Sequence, residues 1–180
     1  MASRERAICA FSQRRGVRPV KAEARLEQLG AALPAETALP PGVQIPFQWV
    51  RVRGTRAFVS GHGALMADGT PAGPFGKVPS EVSLEDAQES ARHTTLAMLS
   101  SLRQELGDLE RITSWLVVNG LINADPGYPQ TTAVINPCSE LILDLYGSDV
   151  GAHARTAIGV SALPLNLPVV ISAEVEISET

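Results

Sequence analysis

GAHARTAIGVSALPLNLPVVISAEVEI, residues 151–177, contains two strand-forming runs joined by a proline-rich turn. The second run, 168–177, alternates: Val169, Ile171, Ala173, Val175 and Ile177 point to one face, and Val170, Ser172, Glu174 and Glu176 to the other. One face is therefore core, and the opposite one becomes polar towards the end. In the first run, 155–162, Arg155, Ala157, Gly159 and Ser161 share a face, so small side chains leave room beside the guanidinium. Arginine carries five donors and a permanent charge. At the edge of an apolar strand it is solvated, paired with an acid such as Glu174, or a receptor for an anion.

Working outward, TTAVINPCSELILDLYG has the pattern of an amphipathic helix that ends at Gly147 and is disturbed in its first half by Pro137. Before it, RITSWLVVNGLI (111–122) is β-branched and almost wholly apolar, which predicts a central strand covered on both faces. The clearest element is SLEDAQESARHTTLAMLSSLRQELG. Ser83 is its N-cap, Glu85 and Asp86 lie in the first turn, and Gly107 is the stop. Its apolar positions, Leu84, Ala87, Ala91, Met98, Leu102 and Leu106, form one face. Upstream, FQWVRVRGTRAFVSGHG splits at Arg53-Gly54-Thr55 into a hairpin, 67–77 is a Gly/Pro-rich surface loop, and 21–33 is a short helix followed by a loop over 34–42.

This order fits an α+β fold in which two helices pack on one face of a mixed β-sheet. An apolar second face then needs covering by another subunit, so a homo-oligomer is expected. The chain has 180 residues, 44% of them apolar and 19% charged, enough for one substantial core. Residues 22–180 are expected to form a single domain.

The net charge of −4 hides an asymmetry: Arg4, Arg6, Arg14, Arg15, Arg18 and Lys21 against Glu5 make residues 1–21 a +5 segment, so the remainder carries −9. That segment reads as a basic N-terminal extension, expected to be disordered. An acidic body repels phosphates, so nucleic-acid binding by the folded part is not expected. Cys9 and Cys138 are too few for a disulfide framework and lack zinc-site spacing. They suggest a reducing, cytoplasmic setting, and Cys138 reads as a small core residue. No apolar run is long enough for a membrane span.

His62 follows a strand and lies between two glycines, where backbone can approach a ligand closely. His93 and His153 have neither the spacing nor the companion acids of a metal site. Neither a metal nor a cofactor is expected, and no phosphate-binding loop or serine-hydrolase elbow occurs.

The stretches FVSGHGAL, LGDLERITSWLVVNGLINADPGY, INPCSEL and AHARTAIGVSALPLN resemble the Rid superfamily (RidA/YjgF, also called endoribonuclease L-PSP-like proteins), over roughly residues 22–177. The form with His-Ala-Arg is similar to the long, chorismate-mutase-like subgroup. The resemblance implies a chorismate-mutase-like fold, a homotrimer around a central barrel, and intersubunit clefts. Members of the family hydrolyse enamine or imine intermediates to keto acids and ammonia. It also implies that Arg155 holds the carboxylate of a small-molecule substrate, with Ser60 and Gly61 as substrate-binding neighbours.

Two departures bear on chemistry. Ala157 stands where the family often has Cys, and Val170 stands where the hydrolytic Glu is expected. A valine can neither orient water nor move its proton. The family's usual Gln is His62 here, which either supplies a relocated catalytic acid/base or merely replaces an amide hydrogen bond. Three other outcomes stay open: a tautomerase or cyclase step in a specialised pathway, a non-catalytic metabolite-binding protein, and the ribonuclease activity in the family's historical name, which the acidic body argues against.

Overall fold

The computed structural model describes residues 21–39 and 42–179. The basic segment expected over 1–21 lies, all but Lys21, outside the described residues. A two-residue turn at Gly54 and Thr55 closes the first hairpin, between β1 (Val50–Arg53) and β2 (Arg56–His62). Gly54 has φ +57°, a left-handed conformation that glycine adopts without steric cost.

Three helices and three further strands complete the fold: α1 (Ala22–Gln28), α2 (Leu84–Leu106), β3 (Ile112–Asn123), α3 (Thr131–Val150), β4 (Ala154–Val160) and β5 (Val169–Ile177). The sheet order is β1-β2-β5-β3-β4, and only β3 and β4 are parallel. A parallel pair needs a crossover, which α3 provides. The expected α+β class is therefore the observed one, with α1 as a third helix packed against α3.

Helix α2 starts where its cap dictates: Ser83 Oγ accepts the Asp86 amide N–H at 3.0 Å, and Gly107, at φ +79°, ends it. Its inward stripe, including Ala87, Ala91, Met98 and Leu102, joins β5 and α3 in one continuous apolar cluster.

The central strand departs from expectation. In this chain β3 buries its helix-side row, including Ile112, Trp115, Val118 and Ile122, whereas on the other side Val117 and Leu121 remain partly exposed and only the terminal Asn123 is buried. Its near-continuous apolar run predicts coverage on both faces, but among the described residues the helices pack on one. The other face carries Phe58 at 43% and Ile158 at 52% exposure, an apolar surface that no described element covers.

Helix α3 also corrects a reading. Its backbone leaves the helix at Gly147 as expected, with φ 76° and ψ 178°, and a final turn reaches Val150. The helix continues through Pro137 with helical backbone angles. Proline has no N–H for the carbonyl four residues earlier. That orphaned acceptor, Ala133 O, takes a hydrogen bond at 3.0 Å from the Gln88 side-chain amide of α2.

Removing Gln88's amide is therefore expected to cost about 1–2 kcal/mol of folding free energy, the range for a lost hydrogen bond that strands a buried acceptor. The loss should shrink when Pro137→Ala restores an N–H within the helix. Urea unfolding of Gln88→Ala, Pro137→Ala and the double variant measures this, and strict additivity would count against the account.

Candidate functional site

The helix-side face of the sheet carries Arg155, Ala157 and Gly159 on β4, and α3 lies over them. Arg155 Nη1 donates to Ser139 Oγ at 3.0 Å and Nη2 to Asn136 Oδ1 at 3.0 Å. Asn136 and Ser139 are three residues apart on α3 and so project from the same side of the helix. Both partners are neutral, and among the described residues no carboxylate lies within ion-pair distance of Arg155. Glu174, the suggested partner, is on the opposite face and pairs with Arg56 at 2.7 Å. The guanidinium is thus held at two corners with its charge uncompensated.

Further along β4 opens a cavity of about 470 Å³ lined by Asp125, Tyr128, Thr131, Ala157, Gly159 and Ser161, among others. Small residues of β4 border this space. Thr131 Oγ1 donates to the Ala157 carbonyl at 3.1 Å, tying the start of α3 to this edge. The Tyr128 hydroxyl is buried without a partner among the described residues, and burial, reinforced by Glu85, raises its pKa.

His62 lies elsewhere. A bulge at Ser60–Gly61 shifts the β2–β5 register between Val59 and His62, so that His62 pairs with Ile171. Simple alternation from Ala57 and Val59 would turn Gly61 inward and His62 outward; the extra residue reverses them. His62 is 2% exposed and packs against Trp49, ring centroids 4.9 Å apart. Its Nδ1 donates to Ser60 O at 2.7 Å and its Nε2 accepts from Ser101 Oγ at 2.8 Å. Burial holds its pKa below the ordinary value, against a smaller raising effect of the Ser60 bond. In this chain the ring is enclosed and both nitrogens are engaged.

The sheet also keeps the expected residues apart. His62, Ile171, Gly120 and Ala157 form one cross-strand row, which puts His62 three strand spacings, about 14 Å, from the Arg155 strand. Ser60 donates its amide to Trp49 O at 2.9 Å and its hydroxyl to Gln48 O at 2.7 Å, so neither donor is free. It borders a second cavity of about 490 Å³ with Phe47, Arg51 and Phe58, at the other edge of the sheet. Val170 lies on the open face in the row Ile158, Leu121, Val170. Gly61 backs onto it so closely that a Cβ there would come within 2.9 Å of Val170 Cγ1.

Cys138 is wholly buried in α3, and burial pushes its thiol up to about 11. Among the described residues no three His, Cys, Asp or Glu side chains gather as metal ligands, and no helix is long and apolar enough to cross a membrane. Asn136, Ser139 and His153 are the site residues the sequence reading missed. The i, i+3 spacing of the first two and the His-Ala-Arg spacing of the third were visible signals. Neither spacing reveals that helix and strand meet there.

No protein-family profile matches the chain. The protein TCP17 of Trypanosoma cruzi is 32% identical over 155 residues, spanning 86% of this chain and 93% of that protein. A solved structure of a protein of unknown function from Agrobacterium tumefaciens is 32% identical and superposes with a TM-score of 0.75 over 87% of this chain and 91% of that one. An endoribonuclease candidate from Shewanella oneidensis superposes at 0.77 with 23% identity, over 88% of this chain and 100% of that one. A protein of the conserved Rid family from Yersinia pestis superposes at 0.53 with 15% identity, over 76% and 92% of the two chains.

The enclosure of His62 has a measurable consequence. The unfolded chain takes up a proton on this residue near pH 6.5, whereas the folded ring resists it. Its contribution to stability is complete above that pH and declines as pH falls through it. Urea unfolding should therefore show stability decreasing from pH 7 to about 5, with a shallower decrease in His62→Gln. Equal slopes would mean that the ring is not desolvated.

Proposed function

The chain belongs to the Rid superfamily, and on that premise we propose that it binds a small carboxylate-bearing enamine, imine or keto acid, with Arg155 as the anchor. One observation carries this reading: a guanidinium held by two neutral side chains, Ser139 and Asn136, with no carboxylate within ion-pair distance among the described residues, on the strand whose Ala157 and Gly159 line a cavity that also contains Asp125. A carboxylate supplies the missing charge and accepts a charge-assisted pair of hydrogen bonds.

The binding cleft lies between subunits of a homotrimer. Arg155 borders one edge of the sheet and Ser60 with Gly61 the other, so the two halves meet only when the β4 edge of one copy faces the β1–β2 side of the next. Such a contact joins two different surfaces and closes by rotation into a ring. Burial of the open face, with Phe58, Leu121, Ile158 and Val170, supplies the apolar drive.

The chemistry follows from what is absent at position 170. Valine there sits in an apolar row beside the Gly61 backbone, and His62, enclosed and bonded at both nitrogens, does not replace the lost proton-transfer group. The protein is therefore a carboxylate-binding member of its family with weak or no imine hydrolysis. The ribonuclease reading gains nothing from the acidic body of the chain.

Two outcomes test this. Release of ammonia from enzymatically generated 2-aminoacrylate should be near background in the wild-type protein and rise by about 10² or more in Val170→Glu, the contribution expected of a placed general acid/base. Robust wild-type turnover would overturn the assignment of a silent pocket. Separately, Ile158→Asp should convert a trimer to monomers in sedimentation velocity, while Arg155→Ala leaves it intact. A wild-type monomer would remove the intersubunit cleft.

A further inference from the structure

Ser139 stands between Arg155 and His153. Arg155 Nη1 donates to Ser139 Oγ at 3.0 Å, and His153 Nε2 lies 2.9 Å from the same oxygen. On the far side of the ring, His153 Nδ1 is 2.7 Å from the Gly151 carbonyl oxygen. A carbonyl only accepts, so Nδ1 carries the proton. Nε2 of the neutral ring is then a lone pair and takes the Ser139 hydroxyl hydrogen. All three bonds run in one direction, from Arg155 to Ser139, from Ser139 to His153, and from His153 to Gly151.

This orientation is specific. Helix serines commonly bond back to a carbonyl one turn earlier, whereas Ser139 spends its proton sideways on His153. Its lone pairs are left for the guanidinium. An imidazole with the proton on Nε2 would present a donor to Ser139 and turn the hydroxyl hydrogen elsewhere, towards the arginine's own N–H. The tautomer selected by the Gly151 carbonyl thus decides which way the serine dipole faces.

We propose that Ser139 and His153 are positioning residues for the anion anchor. They hold Nη1 while Asn136 holds Nη2, so the remaining guanidinium donors keep one orientation towards a bound carboxylate. Preorganisation of this kind raises affinity by sparing the side chain an ordering cost on binding. The inference rests on the reading of Arg155 as the carboxylate anchor and adds the residues that fix its orientation.

Pyruvate, the simplest keto acid, is the probe. Calorimetric titration should show binding to the full-length wild-type protein, loss with Arg155→Ala, and a weakening of about ten-fold in Ser139→Ala and His153→Leu, the scale of one charge-assisted hydrogen bond. His153→Gln keeps an oxygen that accepts the Ser139 proton and should stay within about two-fold of wild type. In parallel, ¹⁵N spectra of the unmodified protein should show His153 as the Nδ1–H tautomer, assigned by loss of its signals in His153→Gln. No pyruvate binding by the wild type, or full binding by Arg155→Ala, overturns the anchor itself. Loss in Arg155→Ala with wild-type affinity in Ser139→Ala and His153→Leu overturns only the positioning roles. Equal weakening in His153→Gln and His153→Leu, or an Nε2–H tautomer at His153, does the same.

Discussion

Everything at the candidate site depends on how closely α3 can lie on the sheet. At Gly120, in the middle of β3, a Cβ would come within 2.5 Å of Ile135 Cγ1. The helix is seated directly on strand backbone, and a side chain there would overpack it, a class of change that costs about 1–3 kcal/mol. Because Ile135 is fixed at that point, Asn136 and Ser139 fall beside β4, within hydrogen-bond reach of Arg155. A glycine that does no chemistry thus sets the geometry of a residue that carries charge.

The same seat explains how a proline is tolerated in α3. Helices α2 and α3 pack side by side over the sheet, close enough for Gln88 to reach the carbonyl that Pro137 leaves without a donor. Local rules put a disturbance at Pro137, and a side chain from the neighbouring helix supplies the donor it lacks. Two imidazoles use a common device. His62 and His153 each donate from Nδ1 to the carbonyl two residues earlier and meet a helix serine at Nε2. One device closes the β2–α2 contact, and the other ends at Arg155.

The sheet has one finished face and one unfinished face. Its helix side is a continuous core, whereas the row Ile158, Leu121, Val170 lies on the side that no helix covers among the described residues. Arg155 and Val170 are on opposite sides of the same sheet, so no movement of side chains within one chain joins them.

Local patterns determined much of this protein. The cap at Ser83 and the stop at Gly107 bounded α2, Gly54-Thr55 placed the hairpin, and strict alternation over 169–177 assigned the two faces of β5. Arg155 stood out as a charge among small residues, which is a statement about residue type at a position, whereas the reading of Val170 as standing in place of a carboxylate came from the family resemblance alone. The tertiary structure alone decided the rest. The bulge at Ser60–Gly61 turned His62 inward, since one extra residue in a strand inverts every side chain after it. Ser139 and Asn136 became partners of Arg155, and His153 a partner of Ser139, only when α3 settled onto Gly120, because a hydrogen bond depends on distances between elements that no periodicity along one chain records.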